Sequence, residues 1–77
     1  MRLRVHLFAS LAKYSPSGEE KFELEIGPEM TVADLLAKLR VPPDAEIRVL
    51  VNGRHADAVA RLAGGDEVFI FPPAAGG

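Results

Sequence analysis

The chain has 77 residues, 9 basic against 11 acidic, for a formal charge of −2. That length suits one domain with a small core, and the lack of a positive surplus excludes a general pull on phosphate backbones, so nucleic acid is not an expected partner. Cysteine is absent, which removes disulfides, thiolate metal sites and a cysteine nucleophile together.

Leu3, Val5 and Leu7 alternate with Arg2, Arg4 and His6, the period of two that marks a strand with one buried face. This predicts a first strand over about 2–8, with Phe8 on the outward side beside Arg4 and His6. Ala9 to Tyr14 is compatible with a short helix, and Ser15-Pro16-Ser17-Gly18 ends it with turn residues. Phe22, Leu24 and Ile26 then alternate with Lys21, Glu23 and Glu25, a second strand most simply paired with the first, closed by Gly27-Pro28.

Thr31 is a good N-cap, with Asp34 three residues on in a short-armed capping box. Val32, Leu35, Leu36 and Leu39 form an apolar stripe, predicting a helix over about 32–40 that packs on a sheet. Arg40 falls in its last turn, and Pro42-Pro43 cannot continue it. Ile47, Val49 and Val51 alternate with Arg48, Leu50 and Asn52, a third strand whose end opens an Asn52-Gly53 hairpin turn. A short return strand near 54–57 and an irregular segment through Leu62 follow. Gly64-Gly65-Asp66 is a further turn, and Glu67 to Phe71 is the last strand, with Val68 and Ile70 on one face and Phe69 and Phe71 on the other. A hairpin, a helix and further strands suit an α+β fold of the β-grasp (ubiquitin-like) kind, a mixed sheet packed on one main helix.

If this alternation holds, Phe8, Phe69, Phe71 and Leu50 point away from the helix. Aromatics gathered on the water side of a small sheet mark an interaction surface, unless a loop or the segment after Tyr14 folds over them. That surface adjoins the chain's end, Pro72-Pro73-Ala74-Ala75-Gly76-Gly77. The division is a body over 1–71 and a tail over 72–77. The prolines favour an extended path, and the glycines, having no Cβ, can enter a channel closed to other residues. Extended, the tail reaches at most roughly 20 Å, enough to place a terminal carboxylate inside another protein.

No apolar run approaches the roughly 20 residues that cross a bilayer, and Met1-Arg2-Leu3-Arg4 does not open a signal peptide, so the expected location is the cytoplasm. His6 and His55 are the side chains that titrate near neutrality when unperturbed. Each is read as a strand-surface or turn residue rather than a catalyst. Asp66 and Glu67 are adjacent acids whose setting before a strand favours turn chemistry. No phosphate loop, metal-ligand cluster or nucleophile triad is present.

Four segments carry a resemblance: Val5-His6-Leu7-Phe8-Ala9-Ser10-Leu11, Thr31-Val32-Ala33-Asp34-Leu35-Leu36, Val51-Asn52-Gly53, and Gly65-Asp66-Glu67-Val68-Phe69-Ile70-Phe71-Pro72-Pro73-Ala74-Ala75-Gly76-Gly77. Together they resemble the small subunit of molybdopterin synthase, the MoaD branch of the MoaD/ThiS ubiquitin-like sulfur carriers, over essentially the whole chain. The double proline favours that branch over the thiamine carriers, which usually lack it. The resemblance implies that Gly77 is adenylated by a zinc-containing, E1-like enzyme (MoeB-like) that uses ATP, while the carrier itself binds no cofactor. Gly77 then becomes a thiocarboxylate and enters the large synthase subunit (MoaE-like), donating sulfur to a pterin precursor in molybdenum cofactor biosynthesis. On this view the chain is not catalytic alone but is the sulfur-donating subunit of a sulfurtransferase. Gly76 accompanies Gly77 into the pocket, and Phe8 and Phe71 match the family's apolar docking surface. His55 departs from the pattern, standing where that surface is often aliphatic.

Other readings share the same tail. A carrier for thiamine, tRNA thiolation or a tungsten cofactor would use the same chemistry at Gly77. A ubiquitin-like modifier would join Gly77 to lysines of targets, and a β-grasp adaptor would make no use of the tail at all.

Overall fold

A computed structural model of the chain describes residues 1–42 and 44–72. The first strand, β1 (Arg2–Leu7), sends Leu3, Val5 and Leu7 to one side, and all three are fully buried. A 3-10 helix over Ala9–Tyr14 leads from it to β2 (Lys21–Glu25), which pairs antiparallel with β1. Helix α1 (Val32–Lys38) follows, then β3 (Arg48–Val51), the short β4 (Arg54–His55) and β5 (Glu67–Phe71).

The strands form one mixed sheet in the order β2-β1-β5-β3-β4. At its centre the first and last strands run parallel, in register from Arg4↔Glu67 to Leu7↔Ile70. The inward residues of the sheet, Leu3, Val5, Leu7, Val49, Val68 and Ile70, form one core cluster with Val32, Leu35, Leu39 and Val41 from the helix and its exit, closed by Leu11, Ile26 and Leu62. Burying each Leu or Ile side chain contributes about 1.5–3 kcal/mol, and the β-grasp expectation is met.

The capping box forms as expected. Asp34 N–H donates to Thr31 Oγ1 (3.2 Å), and Thr31 N–H donates to Asp34 Oδ2 (3.0 Å). The Thr31 backbone bond, and then the Thr31 side chain, hold the Asp34 carboxyl below its ordinary value. Val32 and Ala33 N–H donate to the carbonyls of Ala60 and Ala58 (2.9 and 3.0 Å). The loop after β4 thus supplies acceptors that the first helical turn lacks.

The helix is shorter than the expected 32–40. After Leu39 as C-cap the chain turns left-handed at Arg40 (φ 64°). Val41 N–H returns to Leu36 O (2.9 Å) and Arg40 N–H to Ala37 O (3.0 Å), a Schellman ending with arginine where glycine is usual. The strand expected to reach Phe8 stops at Leu7, though Phe8 stays extended (φ −95°, ψ 148°) and its N–H donates to Ile70 O (3.1 Å). The return strand is two residues, not four, while Phe22 and Leu24 on the edge strand β2 are only half-buried.

Asn52 (φ 53°) and Gly53 (φ 85°) make the tight turn between β3 and β4, the left-handed pair that an Asn-Gly hairpin requires. Asn52 Nδ2 also donates to Asp66 Oδ1 (2.9 Å), and Asn52 Oδ1 accepts from Glu67 N–H (3.0 Å). Asp66 Oδ2 accepts from Ala63 N–H (2.8 Å). Asp66 is therefore a turn residue, tying two loops together where β5 begins. Among the described residues no helix is long and apolar enough to cross a membrane.

Candidate docking face and tail exit

Strand alternation that sends aliphatic side chains inward sends rings outward on β1 and β5. Parallel register sets His6 directly opposite Phe69, and their rings stack with centroids 4.3 Å apart and planes 16° from parallel. Phe8 and Phe71 stack in the same way at 4.5 Å and 4°. Between the two pairs, Phe8 and Phe69 are 6.1 Å apart and Phe69 and Phe71 6.5 Å. The four rings make two adjoining stacks, each worth about 0.5–1.5 kcal/mol beyond its area.

Leu50 lies opposite Phe69 on β3, and His55 lies opposite Leu50 on β4. The apolar surface therefore runs across three strands and ends in a cleft lined by Arg48, Leu50, His55, Phe71 and Pro72. Phe8, Leu50, Phe69 and Phe71 are all half-buried, covered in part by one another. The structure thus gathers the four residues expected on this face. Pro72 lies at its edge; Pro73, Ala74, Ala75, Gly76 and Gly77, the expected threading segment and reaction site, lie outside the described residues.

His6 was expected as a strand-surface residue, yet its side chain is only 14% exposed, and its Nε2 lies 2.8 Å from Glu67 Oε2. The cause is the parallel pairing of the terminal strands, which lays Phe69 over the imidazole and sets Glu67 two residues back along β5, on the same face. Alternation gave the direction of His6 but not its cover. A His at the outward position between Arg4 and Phe8, with an acid two residues before Phe69, was the available signal, and it needed the β1–β5 register to be used. His55, by contrast, is exposed.

The face offers ring surface and one engaged imidazole, which suits contact rather than bond making. Among the described residues no group of three or more His, Asp or Glu is placed to hold a metal ion.

Comparison with known proteins gives a consistent result. A family model described as the ThiS family matches residues 5–77. SAMP1 from Haloferax volcanii is 33% identical, with all of both chains covered and a TM-score of 0.78. A protein from Pyrococcus furiosus, provisionally named molybdopterin converting factor subunit 1, is 25% identical over 96% of this chain and 99% of its own, with a TM-score of 0.78. In a Helicobacter pylori complex of subunits 1 and 2 of molybdopterin-converting factor, a chain 23% identical shares the fold over the full length of both, with a TM-score of 0.66. No curated protein sequence matches.

Proposed function

The chain belongs to the ThiS family, within the MoaD/ThiS ubiquitin-like group, and from that premise we propose that it is the sulfur-carrying small subunit of a molybdopterin synthase. The observation that carries this reading is the continuity of the aromatic face with the tail: Phe71 ends β5, stacks on Phe8 and hands the chain to Pro72. A partner seated on the rings is seated where the tail departs. The body is recognised, and the backbone end reacts.

The chemistry asks little of the carrier's side chains. A carboxylate is a poor acyl donor because oxide leaves badly. In the E1-like enzyme the Gly77 carboxylate would attack the α-phosphate of ATP, forming acyl-adenylate and releasing pyrophosphate. A sulfur nucleophile then displaces AMP, leaving the thiocarboxylate. In the large subunit that sulfur passes to the pterin precursor. The fixed φ of Pro72 and Pro73 would favour an extended path, and the small side chains of Ala74 and Ala75 with the bare Gly76 and Gly77 would suit a narrow channel. The choice of the molybdopterin route is supported by the double proline and by the likeness to the Pyrococcus protein. A partner subunit resembling subunit 2 is supported by the Helicobacter complex, in which a chain of this fold sits with such a subunit.

A second reading has its own support: the Haloferax relative is a small archaeal modifier protein, and the same activated carboxylate could acylate a lysine. The two part in one experiment. The protein is incubated with its adenylating enzyme, ATP and a sulfur donor, and the intact mass is measured before and after addition of the large subunit and pterin precursor. The carrier reading expects replacement of one oxygen by sulfur at Gly77 and return to the starting mass with formation of dithiolene product. A sulfur-loaded chain that gives no product would move it to another thiolation route. Stable conjugates to lysines with no sulfur-loaded form would replace the carrier with the modifier.

A further inference from the structure

The charges on the outer face of the sheet are not distributed evenly. Towards β2 the basic side chains share their clefts with carboxylates: Arg2 lies 3.3 Å from Glu23 and 3.9 Å from Glu25, the Met1 ammonium lies 3.1 Å from Glu25, and Arg4 and Lys21 line a cleft with Glu23 and Glu67. Towards β3 and β4 the pattern changes. Arg48 is exposed, and no carboxylate among the described residues pairs with it. Beside it His55 is exposed too, and the two stand over a floor of Leu50, Phe71 and Pro72. In a chain of net charge −2, a cleft at the exit of the tail is thus lined by a guanidinium and by no carboxylate among the described residues, unlike the two clefts towards β2.

We propose that this cleft receives an acidic side chain of the subunit that takes the tail, with Arg48 as its ionic partner and His55 beside it, a determinant of partner choice next to the aromatic face. The inference rests on the sulfur-carrier reading above and names a feature of its partner. Arg48 lies opposite Phe71 in the β3–β5 register, so a surface that covers Phe71 and follows Pro72 passes over the guanidinium. Covering an unpaired guanidinium with apolar surface is costly unless a carboxylate comes with it. When one does, the planar fork accepts it in two parallel hydrogen bonds. Leu50, Phe71 and Pro72 exclude water from that pair, which strengthens it relative to an exposed ion pair. A polyphosphate would need several cations; one guanidinium beside an apolar floor suits one Asp or Glu set among aliphatic neighbours.

The test measures affinity for a purified molybdopterin synthase large subunit from the same organism, by calorimetry at low and high salt, for the wild type and for Arg48→Glu, Arg48→Gln and His55→Asn. Arg48→Glu is expected to weaken binding about tenfold or more, Arg48→Gln and His55→Asn by less, and both Arg48 variants to flatten the salt dependence. Thermal unfolding midpoints are expected to stay near the wild type, since both side chains are exposed, which separates lost docking from lost fold. Equal binding by Arg48→Glu and wild type overturns the cleft proposal while leaving the carrier reading standing. A wild-type chain that binds no large subunit at either salt overturns the carrier reading, and this inference with it. Self-association of the wild type in sedimentation, abolished by Arg48→Glu, would assign the cleft to a second copy. Capture of a single-stranded oligonucleotide that Arg48→Glu loses would assign it to phosphate; either result overturns the proposal.

Discussion

Along β5, Val68 and Ile70 are fully buried, while Phe69 and Phe71 between and after them are half-buried. The same division runs down β1 and the residue after it, where Leu3, Val5 and Leu7 lie inside and Arg4, His6 and Phe8 outside. The inner face is aliphatic along β1 and β5, with Phe22 of β2 packed against its edge, and interlocks with α1 in one core cluster. The outer face is aromatic at its centre and charged at its margins, its rings lying flat against each other. The contrast teaches that a small sheet can assign folding to one face and, on the proposed reading, recognition to the other, through the choice between branched aliphatics and rings at alternate positions of β1 and β5.

The sharpest way to break that contrast is to cut one residue from each face. Leu35→Ala, on the helix against the inner face and fully buried, is expected to cost about 3 kcal/mol in urea unfolding, a large share of what so small a domain holds. Phe71→Ala should lower stability by only about 1 kcal/mol through its lost stack on Phe8, yet weaken binding to the large subunit about tenfold or more. If both variants lose fold and binding equally, the division between faces is wrong.

Smaller effects sharpen the account of how the faces are held in place. Asn52→Ala removes two side-chain hydrogen bonds to the β5 turn and puts alanine at φ 53°; a loss of about 1–2 kcal/mol is expected. Arg40→Gly should raise stability by about 0.5–1 kcal/mol, because arginine there occupies a left-handed conformation that glycine adopts freely. Asp34 gives the slightest effect. Its folded pKa lies below the ordinary 3.8, so its contribution is complete above the unfolded value and fades as pH falls through the folded one. Acid titration of Asp34→Asn should therefore show a flatter decline of stability below pH 3.8 than the wild type.

Much of this was readable from spacing. Leu3-Val5-Leu7, the Thr31–Asp34 box, the Asn52-Gly53 turn and the outward set Phe8, Leu50, Phe69 and Phe71 are local patterns, and local physics decides them. Contacts between distant strands were not readable. That β1 and β5 pair in parallel depends on the whole chain closing, and with it come the burial of His6, the Glu67 contact and the cleft joining Arg48 to Pro72. The early helix end was hidden for another reason: Arg40 takes a conformation its side chain disfavours because Val41 is drawn into the core, a tertiary gain outweighing a local preference. The chemistry proposed for Gly77 rests on sequence and resemblance, and that residue lies outside the described ones.

The central claim is that the reaction takes place at the Gly77 carboxylate while the aromatic face does the docking, and a chain with a single phenylalanine appended after Gly77 separates the two most directly. Sulfur transfer to the pterin precursor is measured alongside affinity for the large subunit. The account predicts that docking through the body persists while sulfur transfer is abolished. Full transfer by the extended chain, shown by mass to be untrimmed, would contradict it.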